Sequence, residues 1–180
     1  MTATDPRPLT GEPVSLDLLN TRWNEEGVRQ DLLADVEGLA VWLAANGLER
    51  RFTADATTLR HTLAARDALA ALVDLPGDPA ATARVDAVLD HGRIRATLTA
   101  DGPGERVEFA DPARGPGWAA ARDYLDLLRT APDRIRACAH EACILHFFDT
   151  SRNGTRRWCS MAACGNRAKA SRHYARSKDA

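Results

Sequence analysis

Four cysteines near the C-terminal end constrain this 180-residue chain more than any other feature. They are the only cysteines in the sequence, and they fall in two close pairs with the spacing Cys138-x4-Cys143-x15-Cys159-x4-Cys164. A structural zinc site takes four cysteine or histidine ligands in a tetrahedron, and two close ligand pairs joined by a spacer are typical of small zinc modules. The spacing therefore predicts one structural zinc ion, which replaces a hydrophobic core that so short a segment could not build alone.

Disulfides, a redox pair and a rubredoxin-like iron site are the alternatives for these thiols. Residues 1–13 contain no apolar run of the kind found in a secretory signal, so we expect a cytoplasmic protein, and structural disulfides are uncommon in the cytoplasm. Redox and iron sites usually have two residues between paired cysteines, whereas both pairs here have four. His140 and His146 lie close enough to compete as ligands, but four cysteines already complete the tetrahedron.

The residues between and after the cysteine pairs predict the shape of this module. Residues 144–148 and 155–158 are strand-like, and Asn153-Gly154 between them favours a hairpin turn because both residues tolerate positive φ. Alanine-rich sequence from Ala162 onward favours a helix. The predicted order is a first cysteine pair, a β-hairpin, and a second pair at the start of a helix, as in a treble-clef finger.

Basic residues are concentrated in the same segment. Residues 134–180 hold ten Lys or Arg against three Asp or Glu, a net charge of +7, and residues 1–133 hold 14 against 22, a net charge of −8. A basic surface on a zinc module is expected of a protein that contacts nucleic-acid phosphates; the alternative is a solvated basic helix without such a partner. Six candidate contacts follow from this pattern: Arg152, Arg156 and Arg157 on the predicted hairpin, and Lys169, Arg172 and Arg176 on one helix face.

The segment closely resembles the CGNR zinc-finger family. The resemblance rests on the cysteine spacing and on three motifs, FDTSRN at 148–153, RRWCSM at 156–161 and CGNR at 164–167, and it covers about residues 134–176. Upstream, LDLLNT at 16–21 and a helix with Leu39, Trp42 and Leu43 are similar to the ABATE domain that often precedes this finger. Proteins of this architecture are regarded as stress-induced transcription regulators of bacteria, so the resemblance implies DNA binding and regulation.

Several residues of these motifs also have structural interpretations. Gly165 permits a close backbone approach or an unusual φ, and Asn166 can cap backbone amides. A pair between Arg167 and Asp149 would fix the hairpin against the helix. Trp158 is expected to pack over the metal site, since stacking on a base would require its exposure.

Residues 1–132 are predicted to form a separate, mostly helical domain and residues 133–180 the zinc module. Helical periodicity ends at Asn46-Gly47, Thr53 can cap the next helix, and Asp78-Pro79 can begin another. Alternation over residues 94–99 and 106–109 predicts a hairpin with one buried face. The predicted fold class is α+β: a mainly helical N-terminal domain with a small β-hairpin sheet, followed by a treble-clef-like zinc finger.

The N-terminal part contains none of the common catalytic motifs, so we expect no enzyme. His61 and His91 are interpreted as surface histidines. Asn20-Thr21 beside Trp23 could line a pocket or end a helix or strand.

Two functions from different classes remain, with a third that is less favoured. The leading one is a DNA-binding transcription regulator whose N-terminal domain senses a small molecule, forms a homodimer or contacts a partner. The alternative is a zinc-stapled protein-interaction module whose basic helix packs on an acidic partner, including its own N-terminal domain. RNA binding is a third possibility and would require exposed aromatic residues near Phe147 and Trp158. No membrane partner is expected.

Overall fold

The computed structural model describes residues 4–169. These residues fold into helices and three separate antiparallel strand pairs. The helices are α1 (Val14–Leu19), α2 (Val36–Ala45), α3 (Ala56–Asp74), α4 (Pro79–Leu89) and α5 (Gly115–Thr130). The strands are β1 (Arg22–Glu25), β2 (Val28–Asp31), β3 (Gly92–Thr99), β4 (Gly102–Phe109), β5 (Ile135–Ala137) and β6 (His146–Phe148). Short 3-10 turns lie at Leu32–Ala34, Pro112–Arg114 and Pro132–Arg134, and a wider π-helical turn lies at Met161–Gly165. The predicted α+β class is confirmed.

Aspartate side chains begin three of the helices. Asp35, Asp55 and Asp78 accept hydrogen bonds from backbone N–H groups in the first turns of α2, α3 and α4. An N-terminal cap satisfies a donor that has no partner within the helix. The predicted start at Asp78-Pro79 is confirmed, whereas the predicted cap of α3 at Thr53 is wrong, because Asp55 lies closer to the helix and its carboxylate reaches the N–H of Thr58 at 2.8 Å.

The short helix α1 lies at the centre of the core. It packs against α3, α5 and β6, and its Leu16 and Leu18 are fully buried. Burying each leucine stabilises the fold by about 1.5–3 kcal/mol. Helices α3 and α5 and strand β6 are therefore arranged around α1.

Buried polar residues of the N-terminal part are held by specific partners. Asp17 of α1 accepts a hydrogen bond from Arg7 at 2.7 Å. Arg66 of α3 donates to both carboxylate oxygens of Asp31, at 2.7 and 2.8 Å, and to the hydroxyl of Thr21 at 2.7 Å. These bonds fix the N-terminal loop to α1 and the β1–β2 hairpin to α3.

The β3–β4 hairpin has the predicted strands but lacks the predicted buried face. Strand pairing runs from Gly92 opposite Phe109 to Thr99 opposite Gly102. However, Ile94 and Leu98 are 41% and 83% exposed. Only the base of the hairpin joins the core, where the ring of Phe109 meets those of Phe52 and Trp118 edge-on at 5.8 and 5.6 Å between centroids.

The strand pairing of the C-terminal module also differs from the prediction. Asn153-Gly154 does form a turn, with Gly154 at φ 62°. The strand that precedes this turn, β6, pairs with β5 instead of residues 155–158, with Ile135 opposite Phe148 and Ala137 opposite His146. The β5–β6 pair thus encloses the first two cysteines. The predicted helix after Ala162 is confirmed over residues 161–169, to the end of the described chain.

Side chains on both sides of residue 132 share one hydrophobic cluster, in which Leu145 and Phe147 lie with Leu16, Leu18 and Leu19. The division of the chain at residue 132 remains a prediction.

None of the helices in the described part of the chain combines the length and the apolar character that a membrane span requires.

Candidate metal centre

The four cysteine thiols converge on one point. Their Sγ atoms all lie within 4.8 Å of one another, with 3.8 Å between those of Cys143 and Cys159 and 3.6 Å between those of Cys159 and Cys164. The backbone N–H of Cys159 points at the sulfur of Cys138 at 3.4 Å. Cys138, Cys159 and Cys164 are buried, and Cys143 is half-buried.

This arrangement fits a tetrahedral zinc ion. Zn–S bonds of about 2.3 Å at tetrahedral angles place neighbouring sulfur atoms about 3.8 Å apart, close to the separations observed here. A disulfide would bring two sulfurs to about 2.05 Å, and all four thiols are free. Within the described residues the group comprises the four cysteines and no histidine.

Both histidines near the site have other contacts. The Nδ1 of His140 accepts a hydrogen bond from the backbone N–H of Ala142 at 3.2 Å, which bends the loop between the first two cysteines. His146 is held through its backbone by Asn20. These contacts agree with an all-cysteine site.

Electrostatics of the metal-free thiols favour a cation at their centre. A hydrogen bond from the Cys159 thiol lowers the pKa of Cys143 to about 5. The same hydrogen bond, together with burial, raises the pKa of Cys159, and burial raises the pKa of Cys164 to about 12. One thiolate is stabilised by its neighbours, but further thiolates repel it. Four thiolates therefore require a bound cation, and binding it releases protons.

Asp149 organises the loop that leads to the second cysteine pair. Its buried carboxylate accepts hydrogen bonds from the backbone N–H groups of Ser151 at 2.9 Å and Arg156 at 3.0 Å. Burial raises the pKa of Asp149, but hydrogen bonds from the side chain and backbone of Ser151 and from the backbone of Arg156, with the charge of Arg134, outweigh it and hold the pKa below its ordinary value. Arg136 lies 3.6 Å from this carboxylate, whereas Arg167, its predicted partner, is exposed and makes no ion pair within residues 4–169. The predicted pair of Arg167 and Asp149 is therefore wrong, because nearer donors occupy the carboxylate.

Arg156 differs from the other arginines proposed to contact nucleic acid. Its guanidinium donates to the backbone carbonyls of Trp158, at 2.9 Å, and Cys159. It also lies 4.3 Å from the centroid of the Phe147 ring and 3.9 Å from the carboxylate of Glu12. The structure gives Arg156 an internal role, in which it braces the backbone at Cys159.

The turn at Cys164 has a different cap from the predicted one. The hydroxyl of Ser160 accepts a hydrogen bond from the N–H of Ala163 at 3.3 Å, whereas Asn166 is exposed and donates to the carbonyl of Ala162 at 3.2 Å. A Cβ at Gly165 would lie 2.8 Å from the sulfur of Met161. The close approach predicted at Gly165 is confirmed, and the cap predicted at Asn166 is wrong, because Ser160 is nearer to the free N–H groups of the turn.

The remaining candidate contacts lie on the surface or outside the described residues. Arg152, Arg157 and Lys169 are exposed, and Arg157 lies over the ring of Trp158 at 5.2 Å from its centroid. Trp158 itself is half-buried and packs against the core cluster, which includes Cys159 and Cys164; its packing over the metal site stays a prediction. Arg172 and Arg176 lie outside the described residues. The exposed Arg167 is a further surface cation, which the sequence assigned to an internal pair.

Three side chains of the N-terminal part bind backbone groups of the cysteine-containing segment. The amide of Asn20 both donates to the carbonyl of His146 at 2.8 Å and accepts from its N–H at 2.9 Å. Glu12 accepts from the N–H of Phe148 at 2.8 Å, and Asn24 donates to the carbonyl of Ala142 at 3.1 Å. Asn20 ends α1, as one of its two interpretations predicted, but nothing in the local sequence indicates these distant partners.

Family models match almost the whole described chain. The ABATE model, described as a putative stress-induced transcription regulator, matches residues 12–131. The model of the CGNR zinc finger matches residues 134–177. None of the curated proteins compared with the chain matches it. The resemblances found in the sequence are confirmed, and the four converging cysteines form the single metal site of a zinc finger.

Proposed function

The chain belongs to the ABATE family, and from this premise we propose that it is a zinc-dependent DNA-binding transcription regulator. In this proposal Cys138, Cys143, Cys159 and Cys164 bind one structural zinc, and the finger contacts DNA. The N-terminal domain senses an effector or forms a homodimer. A regulator family favours a role without catalysis.

The observation that carries the proposal is the set of exposed cations on the finger. Arg152, Arg157, Arg167 and Lys169 are exposed and make no ion pair within residues 4–169. By contrast, Arg134, Arg136 and Arg156 point inward and donate to backbone carbonyls of residues 149–159. These three arginines therefore stabilise the backbone of the finger itself. The four exposed cations face solvent, where they are available to bind phosphates.

The proposed contact surface is therefore revised from the one predicted by the sequence. Arg156 is removed because its guanidinium is already bound, and Arg167 is added. The proposed surface comprises Arg152, Arg157, Arg167 and Lys169, with Arg172 and Arg176 beyond the described residues. So small a surface gives little sequence specificity, and the proposed regulator would use two fingers of a homodimer or a second contact.

Salt dependence of DNA binding tests this surface. The full chain is titrated onto mixed-sequence duplex fragments over a range of salt concentrations, and the slope of log K against log [salt] is measured. Each phosphate contact contributes about −0.9 to the slope, so a variant with Arg152→Gln, Arg157→Gln and Lys169→Gln should flatten it by about 2–3. The zinc content should not change.

The matched control removes the same charge from elsewhere. Arg50, Arg93 and Arg106 are exposed residues of the N-terminal part without an ion pair among the described residues, and their triple glutamine variant should keep the wild-type slope. Equal slopes for both triple variants would place the DNA contact elsewhere on the molecule. A zinc-loaded wild-type chain that binds no duplex at all would favour the protein-interaction module instead.

A further inference from the structure

A second concave site lies in the N-terminal domain, between α3, α4 and α5. Its cavity measures about 440 Å³, within the range of pockets that bind small molecules. Its apolar lining consists of small residues and one valine: Ala64, Ala65, Ala68, Ala87, Val88 and Gly117. A Cβ at Gly117 would lie only 2.6 Å from the Cβ of Ala65, so α3 and α5 are in direct contact at this point of the cavity wall.

Cationic and imidazole side chains from four elements line the same cavity. They are His61, Arg84, His91 and Arg114. Arg114 donates to the Nε2 atom of His91 at 2.7 Å, since a guanidinium has only donors. This bond fixes the Arg114 side chain at the cavity. Arg84 is exposed and makes no ion pair with any described residue.

The carboxylates near this site are too few to neutralise it. Asp67 is the acidic residue of the lining, and it is bound to Arg22 at 3.1 Å. Asp111 lies 3.7 Å from Arg114 and 3.7 Å from His61, so one carboxylate is shared between two groups. The positive charge of Arg84 is left without a local partner.

The imidazole of His61 lies at the same cavity. Burial lowers the pKa of His61, and the charges of Arg114, Arg60 and His91 lower it further, while Asp111 acts in the opposite direction. The net shift is downward, with burial as its largest cause. Because Arg84 lines the cavity without an ion pair to any described residue, the cavity favours a negatively charged ligand.

We propose that this cavity binds a small carboxylic acid with a compact apolar body. The carboxylate would pair with Arg84 and Arg114 at the rim, because arginine matches the geometry of a carboxylate. The apolar body would lie against the alanines of α3 and α4. This assignment gives a chemical class to the effector of the proposed regulator; that regulatory consequence rests on the proposed function, whereas the binding itself does not.

Benzoate and benzamide form a matched pair of probes, with the same shape and different charge. The histidine resonances of the full zinc-loaded chain are followed by NMR during a titration with each compound, in the absence of DNA. Benzoate should give saturable shifts of His61 and His91 and should raise the pKa of His61 by about one, because a nearby negative charge stabilises the imidazolium. Benzamide should give neither effect.

Arginine variants make the test specific to this cavity. Arg84→Gln should weaken benzoate binding about tenfold, and it removes an exposed side chain without a described partner, so the fold should be kept. Arg114→Gln should weaken it at least as much. Arg122→Gln on α5, whose side chain pairs with Asp126 outside the cavity, should leave it unchanged. Equal effects of benzoate and benzamide, or benzoate binding that survives Arg84→Gln and Arg114→Gln, would overturn the inference. Either result is independent of whether the finger binds DNA.

Discussion

Asn20 is the residue that ties the finger most directly to the N-terminal helices. It is fully buried, and its amide satisfies both the N–H and the carbonyl of His146 in β6, as a neighbouring strand would. Removing the amide leaves two polar backbone groups without partners, and each such loss in a buried site costs about 1–3 kcal/mol.

We predict that Asn20→Ala lowers the free energy of unfolding by roughly 2–5 kcal/mol. Urea denaturation of the zinc-loaded chain measures this change. Asn24→Ala is the matched control, because Asn24 is half-buried and makes a single bond to the finger, at 3.1 Å to Ala142. A cost for Asn20→Ala no larger than that for Asn24→Ala would show that the amide does not hold β6.

At the residue scale the sequence predicts types of chemistry better than partners. The thiols could be assigned because cysteine spacing and metal chemistry are local. The sequence singles out Asn20 as a polar residue after an apolar run, but it does not predict the partner of its amide, because His146 lies 126 positions away. Arg156 and Arg157 are neighbours with the same chemistry, yet one bonds to backbone carbonyls and the other faces solvent. Only the folded backbone determines which arginine finds an internal acceptor.

The finger is made of elements too short to be stable alone. Its strands β5 and β6 have three residues each, and an isolated strand pair is at best marginally stable in water. Cys159 lies where these elements meet, since its sulfur is 3.8 Å from that of Cys143 and its N–H contacts Cys138. The metal is therefore expected to hold the segment together.

We predict that Cys159→Ser reduces zinc to well below one ion per chain and increases amide hydrogen exchange in residues 135–165. Helices α3 and α5 should stay protected, because their contacts with each other and with α4 involve no cysteine. Ser160→Ala is the control: it removes the cap on Ala163 beside the site and should keep the zinc. A Cys159→Ser chain with full zinc content and unchanged exchange would exclude Cys159 as a ligand.

Strand prediction succeeded at the element scale where the signal was local. The pattern of β3 and β4 and the turn at Gly102, with φ 115°, predicted a hairpin that is present. The predicted burial of one face of this hairpin is absent. The alternation of apolar and polar residues indicates a strand, but it does not show whether another element covers the apolar face. The partner of β6 was missed for a related reason: β5 precedes the cysteines and has only three residues, too few for a periodic pattern.

At the scale of the whole molecule the finger and the N-terminal helices are joined by a shared core. Phe147 is fully buried, and Leu145 and Phe147 lie in the cluster that also contains the leucines of α1. Composition and motifs could predict two parts of opposite charge. They could not predict this contact, which depends on how β6 meets α1. Loss of the metal should therefore loosen α1 as well as the finger.

Zinc content and DNA binding, measured on one sample before and after zinc extraction, test the central claim most directly. We predict one zinc per chain, salt-sensitive binding that is lost on extraction, and recovery of binding when zinc is restored. Circular dichroism should show that most of the helical content survives extraction. DNA binding that persists unchanged in the zinc-free chain would contradict the account.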